Sequence, residues 1–313
     1  MLERIMTLTF LSTLLTASVR MAMPLMYAGL GEMIAEKAGV MNIGMEGVML
    51  SGAFFAFAGA YFSSSLAIGL LAGMLGGLLV SLVHALLSIK LSQDQSVSGI
   101  AINIFMGGVT SFLYRLMNRG QSYQQISTFP KIAIPGLSGI PLVGSALFNQ
   151  DVLTYAMYFL IPLSAWFYAK TTLGLSCRAI GENPVAADSA GVPVHRYQLA
   201  STVLNGLLGG IGGAFLVLVQ VGGFSENMTS GRGYIALAAV ILGRTCPEGV
   251  LLASLLFGAA NALQIRLQAI GVPLPTQALA MLPYIITLLA LLFSIGKNKA
   301  PEALAKPYIR GQR

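Results

Sequence analysis

Long stretches without a charged residue constrain this chain more than any other feature. Asp, Glu, Lys and Arg are all missing from residues 47–89, 95–114, 152–169, 197–225 and 267–296. A helix needs roughly 20 mainly apolar residues to cross the hydrocarbon core of a bilayer, so these stretches alone provide about six crossings. Charged residues make up 9% of the chain, against about 25% in a soluble domain. A fold exposed to water on all sides is therefore excluded.

Shorter apolar segments raise the number of predicted crossings. The full set is 5–26, 48–61, 66–89, 98–117, 152–169, 197–221, 233–243, 249–270 and 276–295. The sequence therefore predicts an all-α polytopic membrane protein of about 8–10 transmembrane helices, some of them short or broken. We treat residues 1–313 as one transmembrane domain.

The 36 glycines of the chain are typical of helices that pack closely in lipid. Two predicted helices carry clusters of them: Gly73, Gly76 and Gly77 on one, and Gly206, Gly209, Gly210, Gly212 and Gly213 on the other. We expect these two helices to approach each other or their neighbours at backbone distance.

The charge of the C-terminal tail predicts the orientation. Residues 296–313 carry five Lys or Arg and one Glu, and positive charge beside a crossing marks the cytoplasmic side. Counting crossings back from this tail places the polar segment 170–196 in the cytoplasm. It places the proline-containing segment 118–151 outside.

The region 29–47 leaves the number of crossings open. It mixes Glu32, Glu36, Lys37, Asn42 and Glu46 with apolar residues. If it stays inside, the N-terminus is outside and there are nine helices. If it crosses as a broken helix, the N-terminus is inside and there are ten.

A weak internal repeat exists at an offset of 202 residues. Residues 31–55 and 233–257 share six identities, among them the Glu-Gly-Val at 46–48 and 248–250. Such a match arises either by chance in a biased composition or from a duplicated half, and transporter folds often carry duplicated halves.

Enzyme signatures are missing from the sequence. It contains no phosphate-binding loop, no H-E-x-x-H and no G-x-S-x-G. The two cysteines, Cys177 and Cys246, fall in segments placed in the cytoplasm, so we expect free thiols. His84 is expected to be a packed residue. Active transport by this chain would need an ion gradient or a partner that supplies energy.

Polar residues within or beside the crossings are candidates for a substrate path. These are Asn42, Glu46, Asn103, Asn205 and Gln220, with Asn261 and Gln264 as further amides. Each amide could instead form a hydrogen bond between helices, and a carboxylate before an apolar run also suits the N-terminus of a helix. Both interpretations stay open for each residue.

The segment 170–196, which is predicted to be cytoplasmic, contains residues that predict a short helix. Asn183 and Pro184 form a helix start, and Gly191 and Pro193 end the alanine-rich stretch 185–190. A helix with a small-residue face suits docking into a groove of another protein, although an ordinary amphipathic surface helix is the alternative.

Two motifs resemble one family of proteins. The segment 178–194, R-A-I-G-E-N-P-V-A-A-D-S-A-G-V-P-V, is similar to the coupling loop in permease subunits of bacterial ABC importers. This branch of the importers serves simple sugars, nucleosides and branched-chain amino acids. The stretch 31–52, G-E-M-I-A-E-K-A-G-V-M-N-I-G-M-E-G-V-M-L-S-G, resembles the N-terminal signature of the nucleoside and simple-sugar members.

This resemblance implies partners and a location. It implies a bacterial plasma-membrane permease for nucleosides, or alternatively for simple sugars, paired with a second permease that is a copy or a paralogue. A cytoplasmic ATPase would bind ATP and Mg²⁺, so no cofactor is expected in this chain, and a binding protein or lipoprotein would deliver the solute from outside. No nucleic acid partner is implied. The family's ATPase-coupling positions correspond to Gly181, Glu182, Asn183, Ala186, Ala187 and Gly191. A stand-alone facilitator or ion-coupled carrier is the alternative from another class.

Overall fold

The computed structural model describes residues 8–118, 124–271, 275–294 and 300–309. Its helices in chain order are α1 (Leu8–Glu36), α2 (Met45–Ser63), α3 (Leu66–Ala85), α4 (Gln95–Asn118), α5 (Gly144–Leu147), α6 (Val152–Lys170), α7 (Thr172–Glu182), α8 (Pro184–Ser189), α9 (Val194–Phe215), α10 (Arg232–Leu242), α11 (Pro247–Ile270), α12 (Thr276–Ala280) and α13 (Leu282–Ser294). Wider π-helical turns extend α3 to Lys90 and α9 to Val221.

The helices confirm the predicted fold class. Six of them, with their π-helical extensions, are long and apolar enough to span a membrane: α2, α3, α4, α6, α9 and α11. The 29-residue α1 also exceeds the length of a crossing, while α10 is a shorter apolar helix. The outward faces are apolar, with Leu75 on α3, Phe105 on α4 and Phe159 on α6 each more than half exposed. Faces of this kind suit contact with lipid.

The first helix is longer than predicted. The predicted crossing ends at residue 26, but α1 continues to Glu36, and a break at residues 37–44 separates it from α2. The region 29–47 is therefore the end of α1 followed by a bend, which is the nine-helix alternative. The other end of α1 lies beside the outer segment, since the Ser12 and Ser145 hydroxyls are 2.9 Å apart.

Glycines bring α2, α3 and α9 to backbone distance, as predicted. A Cβ atom on Gly210 would lie 2.5 Å from the carbonyl oxygen of Gly73, and one on Gly206 would lie 2.6 Å from the Cβ of Ser81. Neither position leaves room for a side chain. Where these helices approach each other most closely, their backbones are in direct contact, without side chains between them.

The polar segments hold more regular structure than the sequence suggests. Segment 170–196 is largely helical, since it contains α7 and α8. In the outer segment, β1 (Ile132–Ala133) pairs antiparallel with β2 (Asn149–Gln150), and α5 lies between them. The predicted crossing 276–295 is interrupted at Met281, between α12 and α13.

The internal repeat keeps its register in the structure. Helix α2 begins at Met45 and α11 begins at Pro247, which is 202 residues later, and each follows a short break after a preceding helix. Glu46 and Glu248 are the second residues of these two helices. Their surroundings differ, because Glu46 is buried and Glu248 is exposed. The two segments therefore share a backbone pattern and not a set of contacts.

The orientation makes a testable prediction about labelling. In intact cells, an impermeant maleimide should modify Leu8→Cys and Ser127→Cys, which are exposed positions on the outer side. It should modify Ser189→Cys on the exposed surface of α8 only after the membrane is permeabilised. The measurement is the mass shift or fluorescence of each purified variant.

The background for this experiment replaces Cys177 and Cys246, which are both free thiols, with serine. Modification of Ser189→Cys from outside an intact cell would show that the orientation is inverted. Protection of Leu8→Cys with labelling of Ser127→Cys would contradict the nine-helix arrangement alone.

Candidate functional site

Local sequence signals build residues 181–193, called here the α7–α8 loop, on the side predicted to be cytoplasmic. Asn183 is the N-terminal cap of α8, and its side-chain oxygen accepts a hydrogen bond of 3.0 Å from the Ala186 amide. Pro184 occupies the first position of the helix, where a missing amide hydrogen costs nothing. Gly191 has a φ of +86°, a left-handed conformation that glycine adopts without strain and that ends the helix turn.

The short helix α8 presents one exposed face and one buried side chain. Val185 and Ala186 are exposed. Ala187 is buried and packs with Ile180 and Val194 inside the chain's own fold. Of the six coupling candidates, Glu182, Asn183, Ala186 and Gly191 are exposed, and Gly181 and Ala187 are buried.

The C-terminal tail lies against this loop. Within the predicted tail 296–313, the structure describes residues 300–309. The Ala303 amide donates a hydrogen bond of 2.9 Å to the carbonyl of Gly181, and the Ala305 amide donates one of 3.3 Å to the carbonyl of Gly39. The Tyr308 ring lies 5.5 Å from the ring of His195. The tail thus joins the break between α1 and α2 to the α7–α8 loop.

A groove of about 270 Å³ lies between α8 and the tail. Glu182 and Val185 line it on one side, and Lys306 and Ile309 line it on the other. The exposed surface beside α8 therefore includes residues that are far away in sequence. No local pattern in the sequence predicts this contribution.

A buried polar cluster lies deeper, where α1, α3 and α9 meet. Asn205 donates a hydrogen bond of 2.7 Å to Glu32 Oε2, and Asn42 donates one of 2.8 Å to Asn205 Oδ1. The Asn42 backbone amide donates to Glu32 Oε1 at 2.7 Å, and the Ser81 hydroxyl is 3.3 Å from Asn205 Oδ1. All four residues are fully buried. In this conformation Asn42 and Asn205 bind to the chain itself and hold the bend after α1.

Glu46 has a different structural task. Its carboxylate accepts hydrogen bonds from the Gly231 amide (2.8 Å), the Gly233 amide (2.7 Å) and the Thr229 hydroxyl (2.6 Å). These donors surround the start of α10, where a helix presents free amides and a partial positive charge. Glu46 therefore fixes the N-terminus of the short helix α10 against the N-terminus of α2.

The path candidates Asn103 and Gln220 are partly exposed, as are the further amides Asn261 and Gln264. Gln220 donates to the carbonyl of Arg20 at 2.7 Å. Asn103 donates to the hydroxyl of Tyr234 at 2.8 Å. Tyr234, which is 46% exposed, was missed by the sequence analysis. The one sequence feature that could have indicated Tyr234 is its position near the start of the unusually short predicted crossing 233–243.

An exposed ion pair lies at the C-terminal end of α4. Arg115 binds both carboxylate oxygens of Glu226 at 2.7 Å, and these hydrogen bonds hold the pKa of Glu226 below its usual range. Exposed pairs of this kind contribute little to stability. The pair joins α4 to the segment that leads into α10.

Over residues 14–292 the chain matches a protein family described as branched-chain amino acid transport system / permease component. The chain belongs to this family of transporter permeases. It is 38% identical to the guanosine ABC transporter permease protein NupQ of Bacillus subtilis, over 97% of this chain and 98% of that protein. It is 36% identical to the nucleoside ABC transporter permease protein NupC of Lactococcus lactis, over 92% and 94%. It is 29% identical to the glucose ABC transporter permease protein TsgB13 of Haloferax volcanii, over 90% and 76%.

Family membership and the membrane-length helices together make this chain a multi-pass permease of the plasma membrane. The resemblance to the nucleoside and simple-sugar permeases is confirmed. The individual roles of the coupling and path candidates remain predictions.

Proposed function

We propose that this chain is the membrane-spanning subunit of an ATP-driven importer of nucleosides. The observation that carries the proposal is the similarity along nearly the whole chain to two permeases named for guanosine and nucleoside transport. The capped, exposed helix α8 supports it, because an ATP-driven permease needs a surface through which its ATPase can act. ATP and Mg²⁺ would be bound by that partner.

In this proposal the exposed side of α8 contacts the ATPase, together with the groove next to the tail. Glu182, Asn183, Ala186 and Gly191 lie at that surface, while Gly181 and Ala187 shape the loop from within. A second permease, a paralogue of this chain, would complete the path. An extracytoplasmic binding protein or lipoprotein would deliver the solute.

The experiment is uptake of a labelled nucleoside by cells that lack other nucleoside transporters. Cells with this chain, its ATPase and its other partners should accumulate the nucleoside. Deletion of the ATPase alone should reduce uptake to the level of cells without the permease, since no nucleotide-binding loop exists in this sequence. Undiminished uptake without the ATPase would instead indicate a stand-alone carrier.

A simple sugar is the second candidate solute, favoured by the similarity to the glucose permease TsgB13. The same cells should be tested with labelled glucose and ribose. Sugar uptake that depends on the ATPase, without nucleoside uptake, would replace the nucleoside assignment and leave the permease assignment intact.

A further inference from the structure

Asn103 and Tyr234 form a polar pair on an exposed side of the helix bundle. Asn103 Nδ2 donates to the Tyr234 hydroxyl at 2.8 Å, at a position open to the surroundings. Asn103 is the ninth residue of the 24-residue helix α4, so the pair lies within the membrane span and not at its edge. Tyr234 presents 46% of its surface.

Contact with lipid does not suit this pair. The Tyr234 hydroxyl accepts from Asn103 and still has its own hydrogen to donate, which is costly against hydrocarbon unless a polar partner or water is present. The outward faces of α3 and α6 instead present large apolar side chains such as Leu75 and Phe159. Polar groups exposed inside a transporter bundle usually line a cavity or a path for the solute.

The pair is held by the N-termini of two helices. Asn103 Oδ1 accepts from the Gly47 amide at 2.7 Å, at the start of α2. Its Nδ2 also donates to the carbonyl of Ile43 at 2.9 Å. Glu46 binds the amides of Gly231 and Gly233 at the start of α10, immediately before Tyr234. Helix N-termini that meet within a membrane are a common setting for a substrate site.

Polar residues lead toward this pair from the outer side. Glu226, Asn227 and Ser230 are exposed along the segment that precedes α10. The Arg115–Glu226 ion pair fixes the start of this segment. A hydrophilic solute that enters from outside would follow these side chains to Tyr234.

We propose that Tyr234 and Asn103 contact the nucleoside in the translocation path, with the Tyr234 ring stacked on the base. This inference rests on the proposed nucleoside transport and names the residues that would recognise the base. Every nucleobase has a flat apolar face, and this face can stack on an aromatic ring whichever base it is. Its edge carries acceptors for the Tyr234 hydroxyl hydrogen, and Asn103 orients that hydroxyl by donating to its oxygen.

The test uses the complete transporter in lipid vesicles, with nucleoside transport and ATP hydrolysis measured together. Tyr234→Leu removes the ring and keeps an apolar side chain, so nucleoside transported per ATP should fall about tenfold. Tyr234→Phe keeps the ring and should stay within about threefold of the original ratio. Tyr284→Leu is the matched control, because Tyr284 is 65% exposed on α13, and its ratio should not change.

The ratio separates a path role from a structural one. Poor folding would lower transport and ATP hydrolysis equally and leave the ratio unchanged. An unchanged ratio in Tyr234→Leu would therefore overturn this inference. Failure of the unmodified transporter to move any nucleoside would refute the proposed function instead.

Discussion

Replacement of Ala186 by Trp is expected to separate this permease from its ATPase while the membrane domain stays folded. Ala186 is exposed on α8 beside Val185, so a large side chain there would project into the partner. Overpacking of a well-packed contact costs about 1–3 kcal/mol, which corresponds to roughly a 5- to 150-fold loss of affinity. Co-purification of the ATPase with the permease from membranes measures the effect.

Two matched variants give this experiment its controls. Ala187→Trp should reduce the amount of folded permease, because Ala187 is buried against Ile180 and Val194. Ala269→Trp, at an exposed position near the other end of the bundle, should retain both the fold and the ATPase. If Ala186→Trp retains the ATPase and transports normally, then α8 is not the docking element.

The Asn205→Leu variant is expected to lose folded protein. Leucine has a similar size but leaves Glu32 Oε2 and the Asn42 amide without their hydrogen bonds in a fully buried place. An unpaired buried polar group costs about 1–3 kcal/mol, and two are left here, so a loss of roughly 3 kcal/mol or more is expected. Thermal unfolding and size-exclusion profiles of the detergent-solubilised protein measure it.

Glu32→Gln should be much milder than Asn205→Leu. The Asn42 Oδ1 atom has no hydrogen-bond partner, so the amides of Asn42 and Asn205 can turn over and pair with a glutamine. Asn261→Leu, at a half-buried amide of α11, is the control for a lost amide elsewhere. Equal stability of Asn205→Leu and Asn261→Leu would show that the buried cluster does not hold the bend after α1.

The sequence predicts most of the membrane crossings because charge is costly in lipid. Each charge-free stretch corresponds to a helix or a helix pair in the structure, and the helix starts fall within a few residues of prediction. The predicted end of α1 was wrong because the same rule, that charge is costly in lipid, was applied to Glu32. Glu32 resembles the end of a crossing in the sequence, but Asn42 and Asn205, which are distant in the chain, satisfy its carboxylate.

The candidate site was predictable where its signals are local. Asn183 and Gly191 act through residues only a few positions away, so the limits of α8 follow from the sequence. Which face of α8 is exposed depends on Ile180, Val194 and the tail, and no local pattern contains that information. The pairing of Asn103 with Tyr234 joins residues 131 positions apart, so composition and spacing could not reveal it.

The most direct test of the account is ATP-driven accumulation of a nucleoside in vesicles that contain this permease, its partner permease, the ATPase and the binding protein. With the ATPase and ATP inside the vesicles, a labelled nucleoside should rise above its external concentration. Vesicles in which the ATPase carries a substitution that blocks hydrolysis should show no accumulation. Equal nucleoside uptake by both kinds of vesicle would contradict the account, because the permease would then work without the energy of ATP.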